Sequence, residues 1–104
     1  MNSNLKGKTF ERWVARYLKD HGYVNARRGQ QFKGGADSPD VVGLDGFHIE
    51  CKNTERWSPY EFMEQSVRDS GEGEIPIVIA KKNNEKPLVL IRIDDFMEVI
   101  NVTK

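Results

Sequence analysis

The sequence predicts an α/β fold in which helices flank a central mixed β-sheet, with its elements in the order α-β-β-β-α-β-β-α. Three observations support this prediction. Apolar residues recur at helical spacing near the start of the chain. Short apolar runs separated by turn residues follow, as expected for strands. A helix-capping sequence then separates the third run from the fourth. With 104 residues, the whole chain 1–104 is expected to form a single domain.

The three helices are predicted from their apolar stripes and end signals. The first spans about residues 6–21 and carries its charged residues opposite an apolar stripe. The second spans residues 58–70, because Ser58 and Glu61 form a capping box around a proline suited to the first helical position. Asp94 is predicted to cap the third helix. The apolar face of this last helix consists of Phe96, Met97, Val99 and Ile100.

Five strands are predicted in the apolar runs, at residues 23–28, 39–44, 47–53, 75–81 and 87–93. Asp-Gly between the second and third runs is a strong hairpin signal. A two-residue turn there would place Asp40 on the opposite sheet face from Glu50. A three-residue loop with Gly46 in the left-handed region would set Asp40 directly opposite Glu50. We predict the second register, or a bulge elsewhere that has the same effect.

Charge and cysteine content limit the possible functions. The net charge is zero, which argues against a protein that simply coats nucleic acid, but residues 1–33 carry eight bases and two acids. This asymmetry suggests either a polyanion partner or an ordinary solvated surface. The single cysteine excludes an intrachain disulfide and favours a reducing cytoplasm. We expect no secretion signal and no membrane span, and hence a cytoplasmic protein.

The residues that carry chemistry lie in and beside the predicted strand 47–53. Side chains alternate along a strand, so Glu50 and Lys52 share one face with His48. If Asp40 reaches that face, two mutually repelling carboxylates meet an ammonium group, and a hard divalent cation such as Mg²⁺ or Mn²⁺ would relieve the repulsion. Such a metal activates water and polarises phosphate, while Lys52 supplies positive charge to the transition state. Glu11, at the border of the first helical stripe, is placed to approach the same metal.

A family resemblance rests on these residues. A Pro-Asp pair at residues 39–40, followed ten residues later by Glu-Cys-Lys at residues 50–52, resembles the signature of PD-(D/E)XK nucleases. Glu11 in a first helix and Gln65 in the helix after the motif are similar to residues that many members carry. Together with residues 34–42, the motif most resembles the Holliday-junction resolvase-like branch, including small phage-encoded members. The neutral net charge departs from the basic character of such relatives.

The resemblance implies a restriction-endonuclease-like core and a Mg²⁺-dependent endonuclease acting on DNA, structure-specific for branched DNA or Holliday junctions. Mn²⁺ is expected to substitute for Mg²⁺. A homodimer is implied, because two symmetric strands of a junction need two matched sites. The implied metal ligands are Asp40, Glu50, the Cys51 backbone carbonyl and Glu11. The implied catalytic residues are Asp40, Glu50, Lys52, Glu11 and Gln65, with Gln65 helping to position Lys52 or the attacking water. A phage-encoded member would act in the host cytoplasm.

Other residues leave alternatives open. Predicted contacts to the DNA backbone come from Arg27, Arg28, Lys33, Gly34 and Gly35, although a solvated loop explains them equally well. His48 is expected to be a surface histidine, and Cys51 a small buried apolar residue. Two rival functions remain: a non-catalytic DNA-binding accessory module on the same fold, and a structural dimerisation domain.

Overall fold

The computed structural model describes residues 3–29 and 38–102, and confirms the predicted element order α-β-β-β-α-β-β-α. Within these residues, none of the helices has the length and apolar character needed to cross a membrane. The elements are α1 (Ser3–Asp20), β1 (Arg27–Arg28), β2 (Val41–Val42), β3 (Phe47–Asn53), α2 (Pro59–Asp69), β4 (Ile75–Lys81), β5 (Leu88–Ile91) and α3 (Ile93–Val102).

The five strands form one mixed sheet in the order β1-β2-β3-β4-β5. β3 and β4 are parallel, and the other neighbours are antiparallel. The parallel pair requires a crossover connection, which α2 supplies. The carboxyl ends of β3 and β4 therefore meet at one end of the sheet, where Asn53 pairs with Lys81. This end is called the C-terminal edge below.

Helices cover both faces of the sheet, with an apolar core on each side. Under α2 the buried residues are Phe62, Val78 and Ala80, and under α1 they are Phe10, Val14, Ala15, Leu18, Ala26, Val41, Ile49 and Ile77. The predicted α1 stripe is thus buried only in part. Trp13 and Tyr17 remain about half exposed, because they stack on each other along the helix surface instead of entering the core.

The β2–β3 hairpin adopts the predicted three-residue register. Val41 pairs with Ile49, and the Asp40 amide donates to the Ile49 carbonyl at 2.9 Å. Gly46 lies in the left-handed region at φ +88°, a conformation that glycine adopts without steric cost. Asp40 and Val41 thus both face Ile49, so the chain bulges at Asp40, which lies close to Glu50.

The start of α2 differs from its predicted capping contacts. The helix begins at Pro59 as expected, but the Ser58 side chain makes no capping hydrogen bond. Glu61, the other member of the predicted box, instead accepts a hydrogen bond from the Arg56 guanidinium at 2.7 Å. A charged donor close in sequence has replaced the backbone amide as the partner of this carboxylate.

The boundary between the last strand and the last helix also differs from the prediction. β5 ends at Ile91, and α3 already begins at Ile93, one residue before its predicted cap. Asp94 therefore lies in the first turn, where its negative charge interacts favourably with the positive end of the helix dipole. The first strand is likewise reduced to Arg27–Arg28, because only these two residues pair with β2.

Candidate active site

Asp40 and Glu50 meet where β2 runs beside β3. Asp40 Oδ2 accepts a hydrogen bond from the Cys51 amide at 2.8 Å, so the strand backbone orients this carboxyl. The negative charge of Asp40 acts on the Glu50 carboxyl and opposes its ionisation, so the two carboxyls lie close together. The hairpin register thus creates a close pair of acids.

Burial controls the protonation of this pair. It raises the pKa of Glu50 to about 8, with further contributions from the negative charges of Asp40 and Asp69. Burial also raises the pKa of Asp40, although the Cys51 amide and Lys52 oppose the shift. Asp69 is 8% exposed, and its influence on Glu50 was not predicted from sequence. The surroundings therefore favour the protonated form of Glu50.

Two side chains hold the Glu50 carboxyl in place. His48 Nε2 lies 2.7 Å from Glu50 Oε2 and donates to it when Glu50 is ionised. Gln65 Nε2 donates to Glu50 Oε1 at 3.1 Å. Each oxygen thus has its own partner, which fixes the plane of the carboxylate while leaving lone pairs available. Gln65 is placed against Glu50, whereas the resemblance assigned it to Lys52 or the water.

The expectation that His48 is a surface histidine is wrong. Its exposed fraction is 1%, because α2 covers this face of β3. Ser66 connects α2 to the sheet at this point. Its hydroxyl lies within hydrogen-bond distance of the His48 and Ile77 carbonyls, at 3.3 and 3.0 Å. The sequence signal was available: His48 alternates onto the same face as Glu50, and a parallel crossover helix must cover one face of the sheet.

Lys52 lies two residues beyond Glu50 and is half-buried. Alternation along β3 puts it on the Glu50 face, one step nearer the C-terminal edge. Its positive charge lowers the pKa of both Asp40 and Glu50, which shows that it lies close to the pair. The structure therefore brings together the three residues of the sequence motif.

Glu11 is near the acid pair but has its own partner. Its Oε1 lies 3.0 Å from Arg28 Nε, in an ion pair that is partly buried. Burial raises the pKa of Glu11 and the charge of Asp40 adds to this, while Arg28 opposes both. Glu11 is thus close enough to Asp40 for the charge of Asp40 to raise its pKa, but its direct partner is Arg28. Its direct contact with a metal stays a prediction.

The predicted DNA contacts are described only in part. Arg27 is exposed on β1, with its guanidinium 3.4 Å from the Asn25 carbonyl. Arg28 pairs with Glu11 through its Nε, so only its other guanidinium N–H groups remain as donors for DNA. Lys33, Gly34 and Gly35 lie outside the described residues. Cys51 is not a candidate nucleophile, because burial, followed by the charges of Asp40 and Glu11, strongly raises the pKa of its thiol.

The acid pair suits a hard divalent cation. Asp40, Glu50 and the Cys51 carbonyl offer oxygen atoms only, which Mg²⁺ and Mn²⁺ prefer. Burial raises the pKa of both carboxyls, and a cation bound between them would offset that effect. Residues 3–29 and 38–102 contain no group of three or more His, Cys, Asp or Glu side chains arranged to hold a metal. Asp40, Glu50 and the Cys51 carbonyl would be the protein ligands, with Glu11 as a further candidate and water or phosphate oxygens completing the shell.

The mixed sheet and the motif side chains across its hairpin define the class of PD-(D/E)XK nucleases, with a restriction-endonuclease-like core. Within that class, the chain belongs to the family described as "Phage putative PDDEXK endonuclease", which matches residues 2–104. No curated protein and no solved structure matches the chain. The family description specifies a nuclease, and names neither a metal nor a preferred DNA structure.

Proposed function

We propose that the protein is a Mg²⁺-dependent endodeoxyribonuclease that hydrolyses phosphodiesters at Asp40, Glu50 and Lys52. The observation that carries this proposal is the pair of neighbouring carboxyls, one of them buried, beside a lysine. A protein without metal chemistry gains little from burying such a pair, since each carboxyl raises the free energy of ionising the other. Membership of a phage endonuclease family supports the same conclusion.

Each residue has a distinct task in this proposal. When bound, the divalent cation polarises the phosphate and lowers the pKa of a bound water. The Cys51 amide keeps Asp40 oriented toward the site, and Glu50 joins it after losing its proton. His48 and Gln65 hold the plane of the Glu50 carboxylate. Lys52 places its charge beside the phosphate oxygens, where negative charge grows in the transition state.

The reaction is a hydrolysis by in-line attack of water. The water oxygen forms a bond to phosphorus, and the bond from phosphorus to O3′ breaks. The attacking water loses a proton to solvent, and the leaving O3′ takes one up. The products are a 5′-phosphate and a 3′-hydroxyl, as in similar nucleases. No covalent intermediate with the protein is needed, in agreement with the raised pKa of the Cys51 thiol.

The proposal extends to substrate and assembly. Branched DNA, with Holliday junctions as the leading candidate, follows from the resemblance of the motif region to resolvases. A junction has two symmetric strands, so the proposed active form is a homodimer with one site for each. Exposed apolar side chains on α3 support this assembly, since Phe96 and Met97 are 47% and 44% exposed. A second copy of the chain would cover them.

A cleavage assay tests the proposed function. Four-way junction, flap and linear DNA are incubated with Mg²⁺, Mn²⁺ or EDTA, using the wild type, Asp40→Asn and Lys52→Ala. We expect metal-dependent cleavage by the wild type and a loss of at least ~100-fold in both variants, since each removes a transition-state interaction. Asp45→Asn in the β2–β3 loop and Lys19→Ala in the last turn of α1 replace exposed charged residues, and as matched controls they should retain activity.

The outcomes separate the rival functions. Binding of DNA without cleavage under any condition would favour the non-catalytic accessory module. Cleavage that both site variants retain would show that the assigned site is wrong. The accessory module is the weaker reading now, because Asp40, Glu50 and Lys52 are all present and brought together.

A further inference from the structure

The connection between β4 and β5 is rich in basic residues. Residues 81–86 contain three lysines and one glutamate. Lys82 and Lys86 are exposed, and no ion pair among the described residues involves either one. Unpaired positive charges on one short turn repel each other, and a polyanion would relieve that repulsion. The connection of residues 81–86 is called the lysine turn below.

The lysine turn lies at the same edge of the sheet as the candidate active site. Lys52 pairs with Ala80 in the parallel register, and the turn begins at the next residue of β4. Neighbouring strands are ~4.8 Å apart and each residue advances ~3.3 Å, so the turn lies within roughly 10–15 Å of Lys52. A duplex advances ~3.4 Å per nucleotide on each strand, which makes this distance equivalent to a few phosphates.

Backbone contacts hold the turn against the segment that leaves β3. The Thr54 amide donates to the Lys81 carbonyl at 3.1 Å, and the Asn83 amide donates to the Glu55 carboxylate. Asn84 adopts a left-handed conformation at φ 63°, which asparagine tolerates better than most residues. The lysines are therefore displayed from a defined turn joined to the catalytic strand.

Two cavities are lined in part by residues of the lysine turn. One, of about 410 Å³, has Thr9, Asn53 and Asn84 in its lining together with Lys86. Asn53 Oδ1 is the buried side-chain polar atom in the described chain that lacks a hydrogen-bond partner. A second cavity, of about 690 Å³, is lined by lysines of the turn and by Trp57. This edge thus offers amide and hydroxyl groups beside its lysines.

Acidic side chains are present at both edges of the sheet. The opposite edge contains the β2–β3 loop, the approach to β4 and the start of α3, because β5 is antiparallel to β4. Asp45, Glu74 and Asp94 occur there together with Arg92. The lysine turn itself includes Glu85, so the feature that favours a polyanion is its two exposed lysines without ion-pair partners.

We propose that the lysine turn is a DNA-backbone contact surface that holds the strand flanking the scissile phosphate. This inference rests on the proposed nuclease function and adds a partner surface to it. Lys82 and Lys86 bind phosphates a few nucleotides from the cleaved bond. Their contacts are to the backbone, so they contribute affinity for any sequence and no base preference.

Binding measured against salt tests the proposal. Fluorescence anisotropy of a labelled four-way junction is recorded in EDTA at several salt concentrations for Lys82→Gln, Lys86→Gln and the double variant. Each lost phosphate contact lowers the slope of log affinity against log salt by roughly 0.9. We expect the double variant to lose nearly two units of slope and to bind roughly tenfold or more weakly at ~0.1 M salt. Lys19→Gln, an exposed lysine at the far end of α1, is the matched control and should match the wild type.

Cleavage kinetics provide a second readout. With Mg²⁺, the lysine-turn variants should raise KM and leave kcat within about twofold, since the contact is made equally in ground and transition states. Suppose that the wild type binds and cuts DNA and that the double variant has the same slope and affinity. This result would overturn the proposed role of the lysine turn without contradicting the proposed nuclease activity. A wild type that binds without cutting would overturn the nuclease, while a reduced slope in the variants would still support the surface.

Discussion

At the scale of single residues, the site is defined by what holds Glu50. A carboxylate that binds metal must present its lone pairs in one direction, and rotation about its side chain would oppose this. His48 and Gln65 prevent rotation by occupying opposite oxygens. The burial of His48 and its short contact make it a positioning residue for Glu50, a role that the motif alone does not contain.

Replacement of His48 should therefore weaken metal binding. His48→Ala is expected to reduce Mn²⁺ affinity roughly tenfold or more, as seen when partners of metal ligands are removed. His48→Gln, which retains a side-chain donor, should recover part of the loss. Titration calorimetry in the absence of DNA measures the affinity, and His21→Ala is the exposed control. Unchanged Mn²⁺ affinity in a folded His48→Ala protein would rule out the positioning role.

The raised pKa of Glu50 makes stability depend on pH. The folded pKa of about 8 lies above the ordinary value of 4.5, so the protonated form favours the folded state. The contribution is complete below pH ~4.5 and is lost as pH rises through about 8. It is of the order of a few kcal/mol. Urea unfolding in EDTA from pH 5 to 9 should show the decline.

Two comparisons test the origin of this decline. Glu50→Gln cannot ionise, so its free energy of unfolding should change less over the same pH range. Mn²⁺ should restore stability to the wild type mainly at high pH, because it competes with the proton for the acid pair. Identical pH profiles for wild type and Glu50→Gln would contradict the assignment of the shifted pKa to this residue.

At the scale of elements, the β2–β3 hairpin decides whether there is a site at all. A register shifted by one residue would move Asp40 to the other sheet face and separate the two acids. Gly46 supports the observed register through its left-handed conformation. Gly43, at φ +103°, allows close contact with the Ala26 backbone and so joins the approach to β1 to the hairpin. The two glycines thus affect the position of the hairpin as well as the stability of the fold.

Gly43→Ala should be strongly destabilising. An added Cβ would overlap the Ala26 backbone, and the positive φ is itself unfavourable for alanine. We expect a loss of about 2 kcal/mol or more in the free energy of unfolding, measured in urea. Gly7→Ala is the matched control, because a Cβ there meets open space within α1 and should stabilise by about 0.5–1 kcal/mol. Equal stabilities of the two variants would contradict the close contact at Gly43.

At the scale of the whole molecule, two surfaces are left for partners. The C-terminal edge displays unpaired lysines beside the acid pair, and the region of β5 and α3 displays apolar side chains. Leu88 and Val89 of β5 are more than half exposed, and Phe96 and Met97 of α3 are nearly half exposed. One surface suits a polyanion, and the other suits a second protein chain. A branched-DNA nuclease that works as a homodimer needs both.

The proposed homodimer can be tested through α3. The double variant Phe96→Ser, Met97→Ser is expected to sediment as a monomer at concentrations where the wild type is dimeric, because apolar area that drives association has been removed. Val24→Ser, which also removes an exposed apolar side chain, should leave the dimer unchanged. A monomeric wild type at all concentrations, or a variant that still dimerises, would contradict this assembly.

Sequence reasoning alone predicted the order of the elements and the strand 47–53, and it singled out the three motif residues. These predictions follow from hydrophobic periodicity and turn chemistry, which act over a few neighbouring residues. The sequence also narrowed the hairpin to two registers and favoured the observed one. The net charge of zero follows from the sequence, but the edge of the sheet at which each charged residue lies depends on which strands run parallel.

The side chains that contact the motif residues are set by the tertiary structure and do not follow from the sequence. The contact of Glu50 with Gln65, the pairing of Glu11 with Arg28 and the burial of His48 depend on how α1 and α2 pack on the sheet. The missing side-chain cap at the start of α2 was likewise settled by a neighbouring arginine. Local patterns restrict which face a side chain occupies, whereas competition between possible partners is resolved only when distant segments are packed together.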